Sequence, residues 1–412
     1  MDSDSKIQYG CRICGGRLRE WCDFGRQPVS QSFRDPGATD SEFFFRLAVG
    51  LCLSCTMVQH VEEVPRSLMF HENYPYRSSG SEFMRRHFEE VARHFLKTEL
   101  ADPGSFAVEI GCNDGIMLRT ISEAGVRHLG VDPSRRAVEV AQASGIRVRP
   151  EFFEEETAKA IRAAEGPADL IYSANTISHI PYLDSLFRGV SALLSANGVC
   201  VFEDRYLGDI LGNASFDQIY DEHFYLFSVR SVQAMAVRFG LELVGAERMT
   251  VHGGSIRYTL ARPGARAPRP EVAELLEQER EQGLDGTEQL QRFSARIEEI
   301  RVDLIRLLGE LRADGKRVVG YGATAKSATL TNYCGIGTGL VEFVCDSTPG
   351  KHGLLTPGMH LPVRPPEAFA SPYPDYALLF AWNHAEEIMA KERVFQEQGG
   401  KWILYVPKVH VV

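Results

Sequence analysis

Apolar and polar positions change period along the chain, and the changes divide it. Up to about residue 65 there is no long periodic run. Over 67–100 the pattern is helical, with Phe83, His87, Val91 and Phe95 at three-to-four spacing. Short apolar runs then alternate with helical stretches and predict strands at 106–110, 128–131, 147–150, 169–173 and 199–203. Strands alternating with helices in this way form a parallel sheet covered on both faces. Two further strands, near 241–248 and 255–261, are placed to close that sheet in antiparallel fashion. The stretch 262–270 (RPGARAPRP) is rich in proline and basic residues and suits a linker. Beyond it, Phe293, Ile297, Ile300, Leu304, Leu307, Leu308 and Leu311 form one face of a long helix. A second alternating unit follows, with strands expected at 318–321, 340–345, 376–381 and 402–406. The fold class is α/β: a small N-terminal module and two Rossmann-like domains.

Composition narrows the picture. The chain has 412 residues, 44% hydrophobic, enough for two or three cores. A net charge of -10 argues against nucleic acid as a partner. No apolar run approaches the roughly 18 residues that cross a bilayer, so no membrane partner is expected. The nine cysteines are an odd number, and no secretory leader opens the sequence, which points to a reducing cytoplasm. Four cysteines form two pairs, Cys11-Arg-Ile-Cys14 and Cys52-Leu-Ser-Cys55, with 37 residues between the pairs. Each pair can set two thiolates at about 2.3 Å from one zinc, and two pairs close the tetrahedron. Four thiolates leave no position for water, so the metal is expected to be structural. Gly15-Gly16 relieves crowding where the chain turns after the first pair.

Candidate chemistry gathers at strand ends. Glu109-Ile110-Gly111-Cys112-Asn113-Asp114-Gly115 follows the first strand of the central unit and precedes a helix, where glycines allow close ligand approach. Asp132 lies 23 residues after Glu109, at the end of the next strand, where a carboxylate accepts ribose hydroxyls. Both a dinucleotide and S-adenosylmethionine carry that ribose. Glu109 and the bulk of Asn113 at the middle glycine position favour S-adenosylmethionine, and Phe152 and Phe153 are candidates to cover the adenine. Asn175 through His179 follow the fourth strand. Tyr220-Asp221-Glu222-His223 is a polar cluster among aromatics, costly unless it faces a wet cleft. Methylation of carbon needs a base beside a C–H bond and a donor for the oxyanion. His223, oriented by Glu222 or another carboxylate, fits the base; Tyr220, His179 or Tyr74 fits the donor. In the last unit, Gly320-Tyr321-Gly322-Ala323-Thr324-Ala325-Lys326 imitates a dinucleotide loop, with Asp346 after the next strand. Lys326 can meet phosphate charge, and Tyr321, Asn332, Asn383 and His384 are further polar residues at strand or loop ends. A nicotinamide dinucleotide and a nucleoside diphosphate are equally suitable tenants.

The cysteine pairs, the Glu-Ile-Gly-x-Asn-Asp-Gly loop, Tyr-Asp-Glu-His, His252-Gly253-Gly254-Ser255 and Gly320-Tyr-Gly-Ala-Thr-Ala-Lys326 occur in that order. Together they resemble the sugar C-methyltransferases of bacterial deoxysugar biosynthesis across essentially the whole chain. The likeness is strongest to the 3-C-methyltransferases of branched amino or nitro sugars of the tetronitrose and kijanose type. It implies zinc and S-adenosylmethionine, and a dTDP-linked 4-keto-6-deoxy sugar, with a 3-amino group expected, methylated at C-3 through an enolate. It implies His223 as base, with Tyr220, Glu222, His179 and Tyr74 lining the sugar pocket. The expected organisation is a zinc module over 1–66, a methyltransferase domain over 67–262 and a nucleotide-sugar domain over 263–412. A monomer or small homo-oligomer is expected. A nicotinamide-dependent nucleotide-sugar oxidoreductase is the alternative.

Overall fold

The structure is a computed structural model that describes residues 10–69, 82–284 and 286–412. Its centre is a seven-stranded sheet. In spatial order the strands are Glu242–Met249, Ser255–Ala261, Leu194–Arg205, Ala168–Ala174, Phe106–Ile110, Arg127–Val131 and Val148–Arg149. The last five run parallel; Ser255–Ala261 adds antiparallel to Leu194–Arg205, and Glu242–Met249 antiparallel to Ser255–Ala261. Alternation along a strand sends its residues to opposite faces. Phe106, Val108 and Ile110 accordingly pack with Ile161 and Leu186, while Ala107 joins Met117, Ile121 and Val138. Strand order reverses between Phe106–Ile110 and Ala168–Ala174, and the carboxyl ends there open a crevice, the place where open sheets of this kind bind ligands.

The second alternating unit is a six-stranded sheet in the order Val363–Arg364, Val344–Cys345, Val318–Tyr321, Tyr376–Leu379, Lys401–Leu404 and His410–Val411. All pairs are parallel except the last. It too reverses at its first strand. The expected strand at 340–345 is shorter than its apolar run, because Leu340 and Val341 form a turn onto Gly337.

The N-terminal sheet is antiparallel and joins Leu18–Pro28, Phe44–Cys52 and Val58–His60 to Tyr225–Leu226, two residues beyond His223. The N-terminal module thus shares its sheet with the segment that carries the polar cluster.

Three expectations need correction. The helix Glu82–Phe95 buries Met84, Phe88, Val91, Ala92 and Phe95, and Phe83 is 49% exposed, so the stripe is one residue out of phase at its start. On the helix Thr287–Ala313 Leu307 is only half-buried, and Leu290 extends the face instead. The basic stretch at 262–270 is not a free linker. Arg262 donates to the carbonyls of Ser191, Leu194 and Ser195, and Arg266 pairs with Glu99 at 2.8 Å.

Candidate active site and metal centre

The four paired cysteines converge, with all Sγ atoms within 4.8 Å of one another. Cys11 and Cys55 are 3.6 Å apart, and Cys14 and Cys52 3.5 Å. Backbone N–H groups of Ile13, Gly16 and Ser54 point at the sulfurs at 3.4 Å, and Gln59 Nε2 donates to Cys11 Sγ at 3.0 Å. Such donors stabilise thiolate charge. Gly16 is needed there, since a Cβ would stand 2.7 Å from Ser54 Oγ and 3.1 Å from Cys14 Sγ. This donor set fits zinc, with no ligand position to spare.

A cavity of about 710 Å³ opens at the carboxyl end of the central sheet. Its wall draws on all three sheets' modules: Gln31 from the first, Gly111 to His252 from the second, Thr324 to His384 from the third. At one end lie Gly111, Asn113, Asp132, Phe152, Phe153 and Asn175. Asp132 accepts the N–H groups of Asn113 and Ser134 at 2.9 and 2.8 Å, which fixes its carboxylate at the crevice. Gly111 has φ +69°, and a Cβ would stand 2.4 Å from Thr176 Oγ1, so this turn requires glycine. Arg66 lies 4.4 Å above the Phe152 ring and 5.3 Å from Tyr182, forming an aromatic rim. A ribose acceptor, a close-approach glycine and an aromatic rim fit S-adenosylmethionine. Asp132→Ala is expected to weaken S-adenosylhomocysteine binding by about 10- to 100-fold in calorimetry, since ribose and loop both lose an acceptor.

Two residues assigned to this end stand away from it. Glu109 is buried beneath the loop, and burial, reinforced by Asp132 and Asp114, pushes its carboxyl well above the usual range. Gly115 caps the helix Ile116–Glu123 at φ 73°, where a Cβ would press on Ala141 and Ile146; it serves packing. Cys112 likewise packs on Gly130.

In the middle of the cavity stand His179, Tyr220, Glu222, Arg205, Gln218 and His252. His223 is directly behind them, 1% exposed and outside the lining. Its ring centroid is 3.9 Å from that of Tyr220 and 5.1 Å from that of His179. Its Nδ1 contacts the Gln218 carbonyl, which puts the proton on Nδ1 and the lone pair on Nε2. Burial pushes both imidazoles down, His179 to about 3 and His223 well below its ordinary value, and Arg205 adds to both effects. Both rings are therefore neutral at pH 7. Tyr74 lies outside the described residues.

The segment bearing this cluster is gripped from both sides. Ser30 N–H donates to Asp221 Oδ1 at 3.0 Å, and His60 N–H to the Phe224 carbonyl at 2.9 Å, from the N-terminal module. From the C-terminal unit, Trp382 Nε1 and Tyr405 Oη donate to Asp217 Oδ2 at 2.7 and 2.6 Å. Thr329 Oγ1 adds a bond to the Ile219 carbonyl at 2.9 Å. Asp221 is thus consumed by structure, and Glu222 is the carboxylate of the cluster that faces the cavity.

At the far end are Thr324, Lys326, Thr348, Lys351, Asn383 and His384. Lys326 is bonded to Asn383 Oδ1 and sits 4.6 Å from the Trp382 ring. Burial lowers its ammonium to about 8. Tyr321 and Asn332 do not reach this end. Strand alternation turns Tyr321 to the other face, where it packs on Phe369 and Trp402 and donates to Glu392 at 2.7 Å. Asn332 is nearly two turns beyond Lys326 and donates to the Ala328 and Pro357 carbonyls. Sequence reasoning missed Arg205, Lys351 and Gln218 as cavity residues and gave His252 no role. The available signals were the carboxyl-edge position of Arg205 and the His-Gly-Gly turn, where His252 has φ 55°.

The parallel sheet, its glycine loop and the cavity beside it define an S-adenosylmethionine-dependent methyltransferase. A methyltransferase domain family matches 82–246, a zinc binding domain family 11–70, and a C-methyltransferase C-terminal domain family 250–407. The C-methyltransferase NovU of Streptomyces niveus is 36% identical over 410 residues, 98% of this chain and 96% of that protein. The chain belongs to the C-methyltransferase family. A ubiquinone biosynthesis O-methyltransferase of Ralstonia nicotianae is 30% identical over 24% of this chain and 42% of that protein. A solved methyltransferase from Anabaena variabilis is 19% identical with a TM-score of 0.34, covering 42% of this chain and 84% of that one. The oxidoreductase alternative finds no support in these relatives. No helix among the described residues is long and apolar enough to cross a membrane.

Proposed function

We propose that the protein transfers a methyl group from S-adenosylmethionine to C-3 of a dTDP-linked 4-keto-6-deoxy sugar, of the 3-amino kind, in antibiotic deoxysugar biosynthesis. The observation that carries this reading is one cavity with three chemical zones: a ribose-and-adenine end, a cluster of neutral imidazoles with a phenol, and a lysine–amide end. The cofactor supplies an electrophilic methyl on sulfonium. Carbon accepts it only as a carbanion or enolate, and C-3 is acidified by the adjacent C-4 ketone. His223, with its lone pair on Nε2, is the terminal proton acceptor, reached past His179 and Tyr220. Lys326, Asn383 and His384 hold the pyrophosphate.

The test is incubation of dTDP-4-keto sugars with S-adenosylmethionine and mass spectrometry for the gain of one methylene. Gain on carbon, located by NMR at C-3, is expected; transfer to nitrogen or oxygen, or none, overturns the reading. The pH profile is a second check. A depressed folded-state pKa keeps the base form present far into acid, so kcat/KM should not fall through the ordinary imidazole titration near pH ~6.5. A limb centred there would mean that His223 is not held neutral.

A further inference from the structure

Arg205 ends the Leu194–Arg205 strand, paired in register with Ser255 of the His252-Gly253-Gly254-Ser255 turn. It lines the cavity. The other cavity cations are engaged. Arg66 bonds Glu154 at 2.9 Å and covers Phe152. Lys326 bonds Asn383 and lies on Trp382. Lys351 donates to the Ala323 carbonyl at 2.8 Å and lies 5.0 Å from the Phe33 ring. Arg205 differs. Its buried Nη1 has no hydrogen-bond partner among the described residues. Its nearest carboxylate among the described residues, Asp204 Oδ1, is 3.9 Å away and already accepts from Ser178 Oγ at 2.6 Å. A buried guanidinium with an unspent N–H is costly until an anion arrives.

Two anions are available on the proposed reaction, the pyrophosphate and the enolate, and geometry favours the second. Asp204, beside Arg205, accepts from Ser178 N and Oγ at 2.9 and 2.6 Å, which ties this strand end to the residue before His179, and Arg205 itself pairs with Ser255 of the His252 turn. We propose that Arg205 is the oxyanion-stabilising residue of this enzyme, donating to the enolate oxygen formed on C-4. This rests on the carbon-acid reading above. As the C-3 proton passes to His223 Nε2, the C–H pair becomes the C-3=C-4 bond and the carbonyl π pair moves onto oxygen, facing Arg205. The enolate carbon then takes the methyl, the C–S pair remains on sulfur, the ketone re-forms, and His223 returns its proton past His179 and Tyr220 to the cavity. A fixed cation weakens the histidine as a base and strengthens the substrate as an acid. The net effect favours reaction only when the oxyanion lies closer to the guanidinium than the imidazole does.

The experiment uses the full zinc-loaded chain with Arg205→Gln and Arg205→Lys, S-adenosylhomocysteine binding serving as the folding control. Arg205→Gln should lower kcat by about 10²- to 10³-fold with KM within a few-fold, the loss typical of one oxyanion donor. C-3 deuterium wash-in should fall in parallel. Arg205→Lys should recover part of the rate, and it serves alone if the glutamine variant does not fold. A raised KM with kcat unchanged assigns Arg205 to the pyrophosphate and overturns the proposal. So does a wild-type rate in the glutamine variant, or a lysine variant that recovers nothing over it.

A histidine NMR titration gives a readout that does not need turnover. His223 is faced by Arg205 from its strand, His179 from the preceding edge, His60 from the N-terminal module and Tyr220 and the Gln218 carbonyl on its own segment. Removing the Arg205 charge should let the cluster protonate at higher pH; an unchanged titration overturns the proposal. Should the wild type neither methylate nor exchange C-3, the carbon-acid reading fails, and that result is separate from the titration.

Discussion

Replacing His223 with asparagine is expected to abolish methyl transfer, with a fall of about 10²- to 10⁴-fold, the usual contribution of a general base. The substitution isolates chemistry from architecture. The asparagine amide can still donate to the Gln218 carbonyl that His223 Nδ1 contacts, so the local turn keeps its bond. It has no basic lone pair in place of Nε2. The ribose end of the cavity, built on Asp132 and Gly111, is carried by other strands. S-adenosylhomocysteine should therefore bind within a few-fold of wild type by calorimetry. The C-3 deuterium wash-in should vanish together with turnover, because the same proton is involved. A variant that keeps its rate would remove His223 from the mechanism and leave His179, which faces the cavity, as the base.

Cys14→Ser is expected to release zinc and, with it, most of the methyl transfer. A structural zinc in a small module contributes roughly 10–16 kcal/mol to its folding. The sheet of the N-terminal module ends on Tyr225–Leu226, and Ser30 and His60 bond the residues on either side of His223. Loss of the metal should thus reach the reacting centre without passing through the cofactor loop. Metal content by mass spectrometry, kcat and S-adenosylhomocysteine affinity together separate the outcomes. Zinc lost, kcat lost and cofactor affinity kept is the expected set. Full zinc in the variant would refute the ligand assignment, and full activity without zinc would refute the coupling.

Much of this molecule can be read from residue order because its signals are local. A strand followed by Gly111, and an acid closing the next strand, need only a few neighbours to be recognised. So do two Cys-x-x-Cys pairs. What escaped depends on phase or on distance in the chain. One residue of phase moved Phe83 out of its helix face and Tyr321 onto the wrong side of its strand. Asn332 shares a helix with Lys326 but is too far along it to share a site. The Tyr225–Leu226 pairing is two residues long and leaves no periodic trace. Arg205 is invisible for another reason. Its meaning comes from what surrounds it, the aspartate spent on Ser178 and the other cations already bonded.

The strand at Tyr225–Leu226 also sets terms for protein engineering. A chimera that exchanged the N-terminal module for a homologue's would have to match an edge belonging to the domain it was leaving behind. If it failed, residues 58–60 would lose their neighbour and present unpaired backbone to solvent, an invitation to aggregation. Swaps that carry the cysteine module and the Phe216–Phe227 stretch together keep that seam whole. The unit of inheritance here is a seam with its two sides.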